Sequence, residues 1–225
     1  MSESEEQARF FVRTWAEAVL RQAARARTIR RTAEQDSRNC DRMEDWSPPL
    51  HVLEENFRNQ WAEEHQLIWA AHQLERWDAR LCRERGQQPR PEDPFLKTIR
   101  DALEHLDEVN FANGQAVAPP ILTKRDKYIG RALRDLSGGV LDLALGGGTL
   151  VGGILPQAIE ERGLQAVRAV EEELAEEQLD EYAALLHADE RDPDLEQLLG
   201  RITAYYEHPE RLAAPFDQGG TIDAD

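Results

Sequence analysis

Residues 47–86 read SPPLHVLEENFRNQWAEEHQLIWAAHQLERWDARLCRERG, and the reading of this stretch decides the fold. Ser47 stands before two prolines, the order of a helix cap followed by a first turn that needs no backbone N–H. Leu53, Phe57, Trp61, Ile68, Ala71, Leu74 and Leu81 then recur at helical spacing, and Leu67, Ala70 and Trp77 widen the apolar face past a half-turn. A helix apolar over so wide an arc is packed on more than one flank. The spacing predicts a long helix to about Arg85, stopped at Gly86, at the centre of a bundle.

On the N-terminal side, residues 5–34 read as another long helix, with Phe10, Phe11, Thr14, Trp15, Ala18 and Val19 as its stripe. Its second half, rich in Ala and Arg, favours helix and is expected to be a solvated face. On the C-terminal side, Asp93-Pro94 repeats the cap-and-proline signal and opens a third helix to about Val109, with Phe95, Ile99, Leu103 and Leu106 on its core face. Asn113-Gly114 and Pro119-Pro120 mark a loop, and a short basic helix is expected from Lys124 to Leu136, ending at Gly138-Gly139. Leu141, Leu143 and Leu145 alternate as in a half-buried strand, and the glycines from Gly146 supply a turn, so a small β-hairpin is expected there. Pro156 opens a fourth long helix to about His187 with an outer face almost wholly Glu. A weak last helix follows Asp192-Pro193 as far as Tyr206. The expected fold is mainly α, a helical bundle of four to five helices with a small β-hairpin. Residues 1–136 form the bundle, 137–208 the hairpin and acidic helices packed on it, and 209–225 a mobile tail.

The chain has 225 residues, enough to bury a core without disulfides or metal. Its two cysteines, Cys40 and Cys82, form no disulfide framework, which fits a reducing compartment. The acidic start, Met-Ser-Glu-Ser-Glu-Glu, lacks the features of a signal peptide. The longest apolar run, Val140 to Leu155, contains Asp142 and five glycines and is too short to span a bilayer. A cytoplasmic protein without a membrane segment is expected. The net charge of −17 is uneven: residues 1–135 hold 22 Lys+Arg and 24 Asp+Glu, residues 136–225 hold 5 and 20. Seven arginines stand between Arg9 and Arg31 against one acid, Glu17. A polyanion that binds by charge is expected on the first part of the chain.

The third helix carries Arg100, Asp101, Glu104 and His105. Arginine, a polar residue, three more residues and a histidine: the pattern resembles the R-x4-6-H motif of the HEPN superfamily. The likeness covers the motif and, loosely, the helical order of residues 1–135. It implies a small helical bundle, a homodimer with the site formed across it, and a metal-independent endoribonuclease of the toxin–antitoxin or phage-defence type. It also implies RNA as substrate and an antitoxin as partner. His105 would be the general acid/base and Arg100 the phosphate-holding fork, and the residue types suit that chemistry. Moving the proton of a 2′-hydroxyl needs a group titrating near neutrality, and the charge building on phosphate oxygens needs a fixed positive fork. Asp101, four residues before His105, would orient the imidazole, and Glu104 would shape the site. On an ideal helix Arg100 and His105 stand about 140° apart, so only the reach of the arginine lets both address one phosphate.

A looser copy of the pattern, Arg58-Asn59 with His65, lies on the second helix and is expected to add substrate contacts. Other patterns imply no cofactor and no metal. The Gly146 run lacks the lysine of a phosphate loop, and the seven-residue spacing of His65 and His72 places them about 10 Å apart. An alternative of a different class is a non-catalytic acidic helical adaptor, whose fourth helix binds a basic protein partner.

Overall fold

The computed structural model describes residues 2–42, 46–145, 148–188 and Gly200. The chain divides into a first unit, Met1–Val170, and a second, Glu171–Asp225. The expected last helix and tail lie outside the described residues, as do Gly146 and Gly147.

Two long helices, α1 (Glu3–Asp41) and α2 (Leu50–Glu84), form an antiparallel pair. Arg85 meets Glu5 at one end (3.1 Å), Phe11 stacks on Trp77 and Trp15 packs edge-on to Trp69, and Asn56 donates to Asp36 at the other end (2.8 Å). The seam of α1 is Ala8, Val12, Ala16, Val19, Ala23 and Ala26, all buried. Steps of three and four residues keep these small side chains on one face, where they permit close helix approach. α2 ends close to the expected Arg85, while α1 runs past its expected end at residue 34 to Asp41. The expected cap at Ser47 does not form: the extended Pro49 precedes α2 without a side-chain cap, and the Ser47 hydroxyl donates instead to the Asn39 carbonyl of α1 (2.8 Å).

The second half of α1 is not the simple solvated face that its composition predicts. Ala23 and Ala26 are buried, and Arg30 turns inward to Glu64, which is fully buried on α2. One oxygen of Glu64 accepts from Arg30 (2.6 Å) and from the Gln60 amide (2.8 Å), and the other accepts from the Val151 N–H (3.1 Å). Arg30 also donates to the Thr149 carbonyl (3.0 Å). One buried carboxylate thus ties α1, α2 and the segment around Val151 together.

A shorter helix, α3 (Pro94–Glu104), begins where Asp93-Pro94 predicts and ends before Val109. A 3-10 turn (Leu106–Glu108) follows it and leads to β1 (Asn110–Ala112). The small sheet is antiparallel, in the order β1, β2 (Gln115–Val117), β3 (Val140–Asp142). Its turn is Asn113-Gly114, both at positive φ (52° and 76°), the two-residue hairpin turn that asparagine and glycine favour. The hairpin therefore forms one loop earlier than the leucine alternation predicts. Only Val140–Asp142 of the leucine stretch joins the sheet, and Val151–Gly153 is a 3-10 turn. The expected basic helix is shorter too: a 3-10 turn (Arg125–Lys127), a left-handed Gly130, then α4 (Arg131–Asp135).

The last long helix, α5 (Pro156–Ala188), runs from the first unit into the second. Within the first unit it seats on α1 at Gly163, where a Cβ would come within 3.0 Å of Val19. Arg27 pairs with Glu160, and Arg162 bridges Glu75 of α2 and Asp93, the cap of α3. Burial pushes the Glu75 carboxyl up to about 6, against the opposing pull of Arg162.

Glu64→Ala is expected to lower unfolding free energy by about 3–5 kcal/mol, because it strands the Arg30 guanidinium in the interior. Replacing both members together by apolar residues should cost less. Urea denaturation of the single and double variants measures both, and a loss of under about 1 kcal/mol for Glu64→Ala would contradict the role given to the pair.

Candidate active site

The Asp93 carboxylate caps α3 by accepting from the Phe95 and Leu96 N–H groups (3.0 and 3.2 Å), while Pro94 occupies the first turn. Leu96, Ile99, Ala102 and Leu103 are buried. This apolar stripe turns Lys97, Arg100, Asp101 and Glu104 outward, where they line a cleft of about 600 Å³. His105 lines it as well, and Tyr128, Arg131 and Asp135 form part of its remaining wall. All four residues of the sequence motif therefore border one cavity.

Their mutual contacts differ from the expected ones. Arg100 donates to Glu104 and forms an ion pair with Asp101 (2.9 Å), with 17 % of its side chain exposed and no hydrogen-bond partner for its Nε among the described residues. Asp101 thus holds Arg100. His105 is the C-terminal cap residue of α3, with non-helical dihedrals, so the separation of an ideal helix no longer applies. Its Nδ1 lies 3.2 Å from a Glu108 oxygen, and its ring is largely exposed. A carboxylate acceptor at Nδ1 favours the tautomer protonated there, which leaves the lone pair on Nε2. Glu108 takes the orienting place that the spacing assigns to Asp101, because the helix ends one residue too soon for the i, i+4 stack.

Two histidines of α2 lie near the charges of α3 but do not line the cleft. The imidazole of His65 is held below its usual range by burial, with the Glu104 carboxylate opposing. His72 is buried, and its Nδ1 has no hydrogen-bond partner among the described residues. Burial first, then the Arg100 and Arg76 charges, push its pKa down, while Asp101 and Glu92 pull the other way. Of the three residues expected to add substrate contacts, His65 is close enough to α3 to feel Glu104. Arg58 and Asn59 are exposed elsewhere on α2 and do not line the cleft, and the Arg58 guanidinium lies 4.0 Å from Glu54. Several N-terminal arginines that charge alone would offer to a polyanion are engaged within the protein, Arg13 with Glu17, Arg27 with Glu160 and Arg30 with Glu64.

Lys97, Tyr128, Arg131 and His72 carry no motif. Lys97 stands three residues before Arg100 on the same helix face, a spacing that the sequence itself displays. Tyr128 and Arg131 reach the cleft only through the turn at Gly130, which sequence spacing does not encode. The chain matches no family model, and no curated protein or solved structure matches it.

With a folded pKa below the ordinary 6.5, His72 binds its proton more readily in the unfolded chain. The stability it contributes is intact above that value and is lost as pH falls through the lower folded one. Between about pH 7 and about pH 5 the urea midpoint of the native protein should therefore fall more steeply than that of His72→Gln. Equal slopes would contradict a neutral, buried His72.

Proposed function

We propose that this chain is a metal-independent endoribonuclease of the HEPN kind, acting as a toxin or in phage defence. The observation that supports this reading is the common cleft of Arg100, Asp101, Glu104 and His105. The 2′-oxygen of RNA attacks the neighbouring phosphorus while His105 Nε2 takes its proton. The P–O5′ bond breaks and the 5′-oxygen takes a proton from water, leaving a 2′,3′-cyclic phosphate and a 5′-hydroxyl, and the His105 imidazolium returns its proton to solvent. Arg100 meets the charge on the non-bridging oxygens, where a planar fork serves better than an ammonium. In the free protein that fork is filled by two carboxylates. The phosphate takes the place of Glu104, the more exposed of the two, and Asp101 keeps the guanidinium in position. Glu108 orients His105. The resemblance further implies a homodimer and an antitoxin partner.

A second reading, the non-catalytic adaptor, is favoured by α5 beyond Val170, where Glu172, Glu176 and Glu181 are exposed beside exposed Tyr182 and Leu185. A basic protein would recognise that face. Charge reversal at these three glutamates would abolish such binding, and His105→Ala would leave it intact.

Incubation with total RNA in EDTA separates the two. The native chain should generate cyclic-phosphate ends, and His105→Ala and Arg100→Ala should each cut about 10²-fold or more slowly, with Arg100→Lys failing to restore the rate. No cleavage by folded native protein would favour the adaptor.

A further inference from the structure

The segment Lys124–Arg134 is the most basic short run in the C-terminal half of a chain of net charge −17, with five Lys+Arg against one Asp. Neither the motif nor the mechanism above uses it. Tyr128 is 74 % exposed yet stands on the wall of the cleft, as does exposed Arg131, and Lys97 belongs to the α3 side of the same cavity.

The backbone bearing these groups is held firmly. Arg134 donates to the Ile129 carbonyl (2.6 Å) and the Pro119 carbonyl (2.7 Å). Asp126 accepts from the N–H groups of Leu122 and Thr123 (3.0 and 2.6 Å). Gly130 is buried at positive φ, and a Cβ there would come within 3.1 Å of Pro119 and 3.3 Å of Val109. A larger residue would be strained at that φ and would press on both neighbours, and Tyr128 and Arg131 stand on either side of this turn.

We propose that Tyr128, Arg131 and Lys97 form a nucleotide-binding wall: one base stacks on the Tyr128 ring, and its phosphates are gripped by Arg131 and Lys97. An exposed aromatic face beside cations matches the two things every nucleotide unit offers, a π-surface and an anion. Asp135 on the same wall opposes the phosphates, and Asp101 and Glu104 both pair with Arg100, whose single charge offsets one of them, so Lys97 and Arg131 stand in formal balance with the two remaining carboxylates. A free nucleotide and a single strand share this chemistry. A duplex does not, because its base faces are covered by their neighbours. The choice of a strand over a free nucleotide rests on the ribonuclease reading; the base-and-phosphate chemistry does not.

The test is fluorescence anisotropy of the full chain with a short labelled oligouridine, 2′-O-methylated so that it resists cleavage, beside unlabelled uridine monophosphate and a duplex as competitors. Tyr128→Ala should weaken binding about five- to 150-fold, the span of base–aromatic stacking, and Tyr128→Phe should stay within about twofold of native. Arg131→Ala and Lys97→Ala should each reduce the slope of log affinity against log salt by about 0.7, one phosphate contact apiece on a single strand. The duplex should compete poorly. Displacement by the monophosphate as effectively as by the strand would keep the wall and reassign it to free nucleotides. Binding unchanged in Tyr128→Ala, or no binding of either probe, overturns the proposal. The ribonuclease reading fails separately: a strand bound through Tyr128 but never cut leaves the wall standing, and RNA cut normally by Tyr128→Ala leaves the nuclease standing without it.

Discussion

The carboxylate of Glu64 is the fixed point of the fold. It has no exposure, and without its partners it would be an isolated charge in the interior, a state that costs several kcal/mol. Its two oxygens accept from Arg30, Gln60 and the Val151 N–H, so α1, α2 and the glycine-containing turn at Val151–Gly153 must all arrive for it to be satisfied. The next residue, Gly152, presses directly on Ile99: a Cβ there would lie within 2.4 Å of its side chain. Ile99 precedes Arg100 in α3. The buried ion pair therefore helps set the rotation of the helix that carries the candidate site, through a turn that only glycine can make.

That helix is held from its other end by a second set of charges. Arg162 of α5 reaches both the Asp93 cap and Glu75, and the Asp93 N–H donates back to Glu75 (3.3 Å). Position is thus determined at the cap by polar contacts and in the middle by packing, and the C-terminal end is left to turn away at His105. A longer α3 would have stacked Asp101 under His105. The shorter one leaves two separate groups, Arg100 with its two carboxylates and His105 with Glu108, and Arg100, Asp101, Glu104 and His105 line the same cavity. Anion-holding and proton-moving groups are kept from quenching each other by this division, since each has its own acidic partner.

The long helices were legible because their apolar residues repeat over many turns, and α1, α2 and α5 stand close to where the spacing puts them. The caps were legible in part. Asp93-Pro94 works as read, whereas Ser47 serves a neighbouring helix, a tertiary contact with no local sign. The sheet was expected at the leucines after Val140 because alternation there is regular; its strands are only three residues each, too short to show a period, and only the Asn113-Gly114 turn marks them. Least legible were the charges that matter most. Arg30 and Glu64 each look like surface residues of a polar helix, and a pair 34 residues apart becomes visible only when the two helices are laid antiparallel. For the same reason the motif was readable on α3 while Tyr128 and Arg131, carried to the cleft by the buried turn at Gly130, were not.

The overall charge of −17 weighs less against a polyanionic ligand than the total suggests. At physiological ionic strength exposed charges are screened over about 8 Å, so a phosphate entering the cleft responds to the groups that line it. There Lys97, Arg100 and Arg131 stand against Asp101, Glu104 and Asp135, a formal balance of zero before His105 is counted, and two of the three carboxylates are committed to Arg100. The acid excess lies elsewhere in the sequence, from residue 136 onward. A phosphate at this cleft therefore meets no net opposition from the groups that line it, although the chain as a whole is acidic.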